Sequence, residues 1–168
     1  LLRKGDVILG VGGARFDADA RASFGKAIGA AESAAGGGRL TVLRWRDGTE
    51  EPVVIVLPVL GAYGPTAPYD CDKSRAIFDR GCEAIASRGL RGVSIPNSLN
   101  ALALLASGKD EYRPLLAAYA REVAELRLDS MATWHYGFAT MFLAEYCLAT
   151  GDEAVLPGLQ RLALESAR

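Results

Sequence analysis

Two short segments of the chain are similar in sequence: Ala106-Ser107-Gly108-Lys109-Asp110-Glu111 and Ala149-Thr150-Gly151-Asp152-Glu153. They lie 43 residues apart, and at the same offset Pro114 matches Pro157. An internal repeat of this length is typical of a helix–turn–helix unit. The repeat therefore predicts two helical hairpins in the C-terminal part of the chain.

The residue types in these stretches suit the turn of a hairpin. Gly108 and Gly151 can adopt the left-handed conformation that ends a helix, and Asp110 and Asp152 can cap the helix that follows. A proline in the first turn of that second helix costs little, because the amide hydrogen it lacks has no helical partner there. The predicted helices are residues 97–107, 110–126, 131–149 and 153–167, preceded by one from Asp70 or Asp72 to about residue 87.

The N-terminal part has a different composition, with short β-branched runs separated by glycines. Such runs are typical of strands, and the apolar spacing between them predicts one helix, capped by Asp17 or Asp19. Asp47-Gly48 is a strong signal for the two-residue turn of a β-hairpin. The predicted strands are 6–11, 40–45 and 52–57, with the helix at 19–33.

The composition changes near residue 60, where prolines and glycines between Pro58 and Pro68 indicate a connector. We therefore expect an α+β chain, with a small β-rich module followed by an all-α array of helical hairpins. The expected divisions are a module over 1–60, a linker over 61–72 and a helical repeat region over 73–168.

The stretch Leu2-Arg3-Lys4-Gly5-Asp6-Val7-Ile8-Leu9, with the helix after it and the strand that ends in Arg46-Asp47-Gly48, resembles part of a PDZ domain of the bacterial protease kind. The resemblance covers about residues 1–58 and implies a peptide-binding groove beside the helix. The ligand-contacting residues that it implies are Arg21, Phe24 and Ile28. Members of that family begin with further strands and a carboxylate-binding loop, so the resemblance implies only half of the groove here.

Two kinds of helical array compete for the second part. An open superhelix of the tetratricopeptide sort has a period of about 34 residues, which is shorter than the one found here. The aromatic stretch from Trp134 to Tyr146 resembles repeats of the closed (α/α) toroids of squalene cyclases and prenyltransferases. Together with the PDZ-like part, it also resembles a bacterial family of large PDZ-plus-toroid proteins, which brings no established reaction with it.

The overall composition argues against several classes of partner and cofactor. Nineteen Lys and Arg against 20 Asp and Glu give no electrostatic signal for nucleic acid or an anionic membrane. The longest apolar stretch, Pro52 to Tyr63, is too short and too interrupted to span a bilayer. One histidine and three cysteines, at spacings that match no zinc or iron–sulfur pattern, indicate no metal site and no disulfide framework. We expect no cofactor, no nucleic acid and no membrane span.

His135 and Glu145 are the candidates for catalysis, and both fall in the helix predicted at 131–149. Ten residues along a helix correspond to about 15 Å of rise, so they cannot form a direct acid–base pair. Glu145 has apolar neighbours in the sequence, so we expect it to face a cavity or to be paired when the helices pack. His135 is expected to be a packed residue, and Asp70 and Asp72 are expected to cap a helix.

One main functional hypothesis and one alternative follow. The main hypothesis is protein or peptide recognition, without catalysis by this chain alone, as a fragment of a larger multidomain bacterial protein. The partner would be a peptide or protein segment, from another molecule or from the same one. The alternative is the N-terminal part of an α/α-toroid enzyme that acts on a polyisoprenoid or polysaccharide-like substrate. Both the cytoplasm and the cell envelope stay open as compartments.

Overall fold

The computed structural model of the chain describes residues 2–17, 19–127 and 133–167. These residues form four β-strands and six α-helices, which confirms the predicted α+β class. They divide into two compact units, Leu1–Ile77 and Phe78–Arg168, so the stretch expected to be a linker belongs to the first unit. Within the described ranges, no helix combines the length and the apolar character needed to cross a membrane.

The first unit is built on an antiparallel sheet with the strand order β2-β1-β3-β4. Its strands are β1 (Val7–Val11), β2 (Ala14–Arg15), β3 (Arg39–Arg46) and β4 (Thr49–Val56). β3 and β4 form the predicted hairpin, and Asp47 and Gly48 both have the positive φ that its tight turn requires. The sequence does not predict β2, because two residues are too few to show an alternation of apolar and polar positions.

Helix α1 (Ala20–Ala31) packs against β1 and β3. Asp19, one of the two predicted caps, accepts hydrogen bonds from the backbone N–H groups of Arg21 and Ala22 at 3.0 and 3.1 Å. The buried centre of the unit consists of Ala31, Leu40 and Val42. This small core holds the helix on one face of the sheet.

The irregular stretch from 57 to 71 is fastened to the end of α1. The backbone carbonyl of Glu32 accepts hydrogen bonds from the N–H groups of Leu60 and Gly61, both at 3.0 Å. The Glu32 carboxylate also pairs with Lys73, whose Nζ lies 2.6 Å from Oε2. Because the Lys73 side chain is only 2% exposed, this ion pair is buried and anchors the stretch to the first unit.

The remaining regular elements of the described residues are helices. Their bounds are α2 (Asp72–Arg88), α3 (Ile95–Ala106), α4 (Arg113–Ala124), α5 (Thr133–Thr150) and α6 (Leu156–Ser166). A single 3-10 turn precedes α4 and another precedes α6, at Asp110–Tyr112 and Glu153–Val155. The predicted bounds therefore merge each 3-10 turn with the helix after it. The predicted start of α5 at residue 131 lies outside the described residues.

The two hairpins, α3–α4 and α5–α6, end their first helices in the predicted way. Gly108 and Gly151 have φ angles of 66° and 69°, so both are left-handed as expected. Pro114 and Pro157 lie in the first turn of α4 and α6, which confirms their predicted positions. The two hairpins therefore share one order of elements: helix, left-handed glycine, 3-10 turn and a second helix with proline in its first turn.

The capping prediction is right for one hairpin and wrong for the other. Asp152 accepts a hydrogen bond from the backbone N–H of Ala154 at 3.1 Å, as a cap does. In the first hairpin Lys109 occupies the capping position, and no side-chain hydrogen bond is made there. Asp110 lies one residue further on and forms an ion pair with Arg113 at 2.8 Å. The 43-residue offset matches the capping residue Asp152 with Lys109. Asp110 is therefore one residue too late in the chain to cap.

Aromatic rings fill the centre of the second unit. The ring centroids of Tyr119 and Phe142 lie 5.1 Å apart, and those of Phe142 and Tyr146 lie 6.0 Å apart. The Ser98 hydroxyl is buried and lies 3.1 Å from the Tyr119 hydroxyl, within hydrogen-bond distance. Cys82 is 1% exposed in the same core.

Candidate functional site

One side of α5 presents large apolar side chains to solvent. We call it the front face of α5, and its residues are spaced four, three, four and three apart: Trp134, Phe138, Met141, Glu145 and Leu148. Trp134 is 76% exposed, Met141 41% and Leu148 82%. This spacing is that of a helix seam that packs against another helix. A line of exposed apolar side chains, unlike single scattered ones, marks an interaction surface.

A depression opens in the front face beside Gly137. Its volume is about 360 Å³, and it is lined by Thr133, Trp134, Gly137, Phe138 and Met141. A Cβ atom at Gly137 would meet nothing within 4 Å, so the glycine leaves the depression open. Flanked by two aromatic rings, the depression can receive a large apolar side chain of a partner.

The opposite side of α5 is buried and holds the helix in the unit. Its buried residues are Tyr136, Ala139, Phe142, Leu143 and Tyr146. Because both sides of the helix are apolar, its sequence shows no amphipathic pattern that would separate the exposed side from the buried one. This is why the sequence identifies the helix and misses the front face.

The structure corrects the expectation for Glu145. The side chain is exposed on the front face, so it is not a buried carboxylate. The error arises because its apolar neighbours in the sequence project from other sides of the helix. His135 is half-buried, and ten residues of helix, about 15 Å of rise, separate the two. The two candidates for catalysis are therefore not brought together.

The residues that the resemblance implies for peptide binding lie on α1. Arg21 is exposed, whereas Phe24 and Ile28 are half-buried and pack against the centre of the first unit. A shallow cavity of about 270 Å³ lies next to α1, where Ala27 and Ala30 form part of its wall. Phe24 and Ile28 thus hold α1 on the sheet, and Arg21 places a cation beside them.

The outer edge of the sheet is interrupted at Pro52 in β4. Pro52 is paired with Leu43, and the two-residue hairpin turn makes this a pair whose N–H positions point away from the partner strand. Proline has no N–H, so β4 lacks one donor that an added strand would need. The edge of β4 is therefore a poor template for a peptide strand.

A second cleft, of about 390 Å³, lies between the turns of the two hairpins. The Tyr146 hydroxyl donates a hydrogen bond to Oδ2 of Asp152 at 3.1 Å, and burial together with this bond raises the pKa of Tyr146. Lys109, also at the cleft, pairs with Asp79 at 3.0 Å. The sequence predicted that the turn residues of the two hairpins end or cap helices, and it did not predict that they line a common cleft. The constant offset was the available signal, because stacked repeats place equivalent positions side by side.

Helix α2 begins at Asp72, which confirms one of the two predicted starting residues, and Cys71 lies directly before it. The Cys71 carbonyl accepts the hydrogen bond from the N–H of Arg75 that opens the helix, at 3.0 Å. Its buried Sγ accepts a hydrogen bond from the backbone N–H of Gly64 at 3.3 Å. Hydrogen bonding by the Ser74 side chain, followed by the bond from Gly64, lowers the pKa of the Cys71 thiol to about 7.

These features define an α+β chain whose second unit combines helical hairpins with an exposed apolar helix face. A family model for a domain of unknown function (DUF6288) matches residues 74–168, more than half of the chain. The chain belongs to this family. No curated protein and no solved structure matches it. The matched residues include all of α5 and therefore the whole front face.

Proposed function

We propose that the chain acts in protein recognition and that the front face of α5 is its recognition surface. The observation that carries the proposal is the exposure of Trp134, Met141 and Leu148 in one line along the helix. Tryptophan, phenylalanine and methionine are enriched at the centres of protein interfaces. The depression beside Gly137 adds the kind of pocket in which binding energy concentrates.

The size of the exposed side chains sets the strength of the expected interaction. Complete burial of a large apolar side chain contributes roughly 1.5–3 kcal/mol. Covering three such side chains supplies several kcal/mol, and the loss of translational and side-chain freedom offsets part of it. We therefore expect moderate affinity, with the partner lying along α5 as a helix because the 4-3 spacing matches helix-to-helix packing.

The first unit supports a second candidate, which is capture of a peptide C-terminus. Exposed Arg21 lies on the same helix as half-buried Phe24 and Ile28, so a cation and apolar side chains are available to one ligand. Titration of a C-terminal peptide into the chain should then shift the amide signals of residues 20–31. Unshifted signals would remove this candidate. The enzyme alternative has no comparable support, because His135 and Glu145 are not assembled.

The main proposal is tested by selecting displayed short peptides on the immobilised full chain. We expect the selection to enrich sequences that form amphipathic helices, and we expect Met141→Glu to weaken their binding by at least about tenfold. Leu164→Glu on α6 is the matched control, because Leu164 is also exposed, at 58%, but lies outside the front face. Selected peptides that bind wild type and Met141→Glu equally would refute the proposal.

A further inference from the structure

We propose that the partner of the front face is a helical hairpin of the same kind as α5–α6, which docks on α5 as α5 docks on α3. This inference rests on the proposed function and adds the structural class of the partner. It follows from a comparison of burial at positions 43 residues apart in the two hairpins.

The front face of α5 corresponds to a covered face of α3. Ser98 is 1% exposed, whereas Met141, at the equivalent position, is 41% exposed. Leu105 packs against the helical core, whereas Leu148, its equivalent, is 82% exposed. Helices α5 and α4 of the same chain both pack against α3, and the Tyr119 hydroxyl of α4 lies 3.1 Å from the Ser98 hydroxyl. The position that is covered in the first hairpin is therefore open in the second.

The other side of the two helices shows the reverse. Leu99 is 46% exposed on α3, whereas its equivalent Phe142 is fully buried on α5. Pro96 is exposed on α3, whereas its equivalent Ala139 is fully buried. One side of α5 thus packs against the first hairpin. The front face of α5 is equivalent to the covered face of α3, and it is exposed. Continuing this stacking places the next hairpin on the front face.

The chemistry of the partner can be stated from the side of α5 that is already packed. That side combines a small residue, Ala139, with the large residues Phe142 and Leu143, all fully buried. A docking hairpin should present the same combination, so that a ring or a leucine enters the depression beside Gly137. A second copy of the whole chain is a less fitting occupant, because this side of its own α5 is already buried.

Glu145 makes the front face selective. It stands at the position of Leu102, which packs against the helical core of the first hairpin. A hairpin face shaped for leucine would desolvate the Glu145 carboxylate without a partner, which weakens binding. The native partner hairpin should therefore carry a cation at this level of the helix.

The test uses the full chain and a synthetic polypeptide of residues 133–167 that carries Trp134→Phe and Cys147→Ser. A disulfide between Thr140→Cys and Ser166→Cys holds its two helices together, because those two hydroxyls lie 3.5 Å apart. Binding is followed by calorimetry and by tryptophan emission of a full chain that carries Trp45→Phe, in which Trp134 is the remaining tryptophan. Because the synthetic hairpin has a face that fits leucine, we expect Glu145→Leu in the chain to tighten its binding by about tenfold. Adding Met141→Glu to the Glu145→Leu chain should abolish it, whereas Leu164→Glu should not.

Three results would overturn the inference. Absence of hairpin binding by the Glu145→Leu chain would overturn it, and so would binding that Met141→Glu leaves unchanged, which would place the contact elsewhere. Sedimentation of the wild-type chain as a dimer that Met141→Glu dissociates would assign the front face to a second copy. In each of these cases, displayed peptides whose binding Met141→Glu weakens would still support the proposed function. Failure of the hairpin inference is therefore distinguishable from failure of the proposed function.

Discussion

Leucines 105 and 148 occupy the same position in the two hairpins and offer a matched test of the packing described above. Leu105 packs against the helical core, whereas Leu148 is 82% exposed. Truncation of a fully buried leucine to alanine lowers the free energy of unfolding by about 2–5 kcal/mol. Leu105 is partly exposed, so we expect Leu105→Ala to cost about 2 kcal/mol, at the lower end of this range. Leu148→Ala should change stability by less than about 0.5 kcal/mol. The intrinsic helix preference for alanine acts equally on both substitutions and cancels in the comparison.

The measurement is urea denaturation of the full-length wild type and of the two alanine variants, followed by far-ultraviolet circular dichroism. This signal is dominated by the helices, so it reports on the second unit. A difference of about 1.5 kcal/mol between the variants corresponds to more than tenfold in the unfolding equilibrium constant. Equal losses for Leu105→Ala and Leu148→Ala would refute the assignment of one covered and one open face.

Three further predictions concern the interactions that hold each unit together. Lys73→Met should lower the stability of the first unit by about 3 kcal/mol in urea denaturation, because it leaves the Glu32 carboxylate buried without its partner. The Arg46 guanidinium holds the pKa of Asp6 well below its usual range, so this stabilisation is complete above the ordinary aspartate pKa of about 4 and is lost as the pH falls below it. When unfolding is followed as the pH is lowered, Asp6→Asn should lack this part of the pH dependence of stability. Gly158→Ala should cost at least about 2 kcal/mol, because its Cβ would lie 2.6 Å from backbone atoms of α4.

Each of these has a control at an exposed or open position. Lys26→Met removes a charge from the exposed side of α1 and should leave the stability of the first unit unchanged. Glu83→Gln, also exposed, should leave the acid transition where it is. Gly25→Ala should be neutral or stabilising, because a Cβ there meets nothing within 4 Å. If Lys73→Met costs no more stability than Lys26→Met, the role of the buried ion pair is contradicted. If Gly158→Ala costs no more than Gly25→Ala, the close helix contact is contradicted. An unaltered acid transition in Asp6→Asn would contradict the role of Asp6.

The turns were the most predictable part of the fold, because their chemistry is local. Asp47-Gly48 predicts the hairpin from two residues that tolerate positive φ, and Gly108 and Gly151 predict two helix ends in the same way. The cap at Asp110 fails because the first hairpin has lysine at the capping position, which the approximate match of the two stretches conceals. Short elements such as β2 leave no periodic signal.

The candidate site was not predictable from periodicity, and the reason lies in α5 itself. A helix with a single apolar side shows which side is buried, but Phe142 and Met141 are adjacent and equally apolar while one is buried and the other exposed. Only the packing of neighbouring hairpins decides between them. The same ambiguity produced the wrong environment for Glu145, whose apolar sequence neighbours do not surround it in space.

The most direct test of recognition by the front face compares the dissociation constant of one peptide for three chains. A helical peptide selected on the full chain is titrated against wild type and against Met141→Glu, with Leu164→Glu measured alongside. We expect Met141→Glu to raise the dissociation constant by at least about tenfold and Leu164→Glu to leave it unchanged. Dissociation constants that are the same for all three chains would contradict the central claim that α5 presents a protein-binding surface.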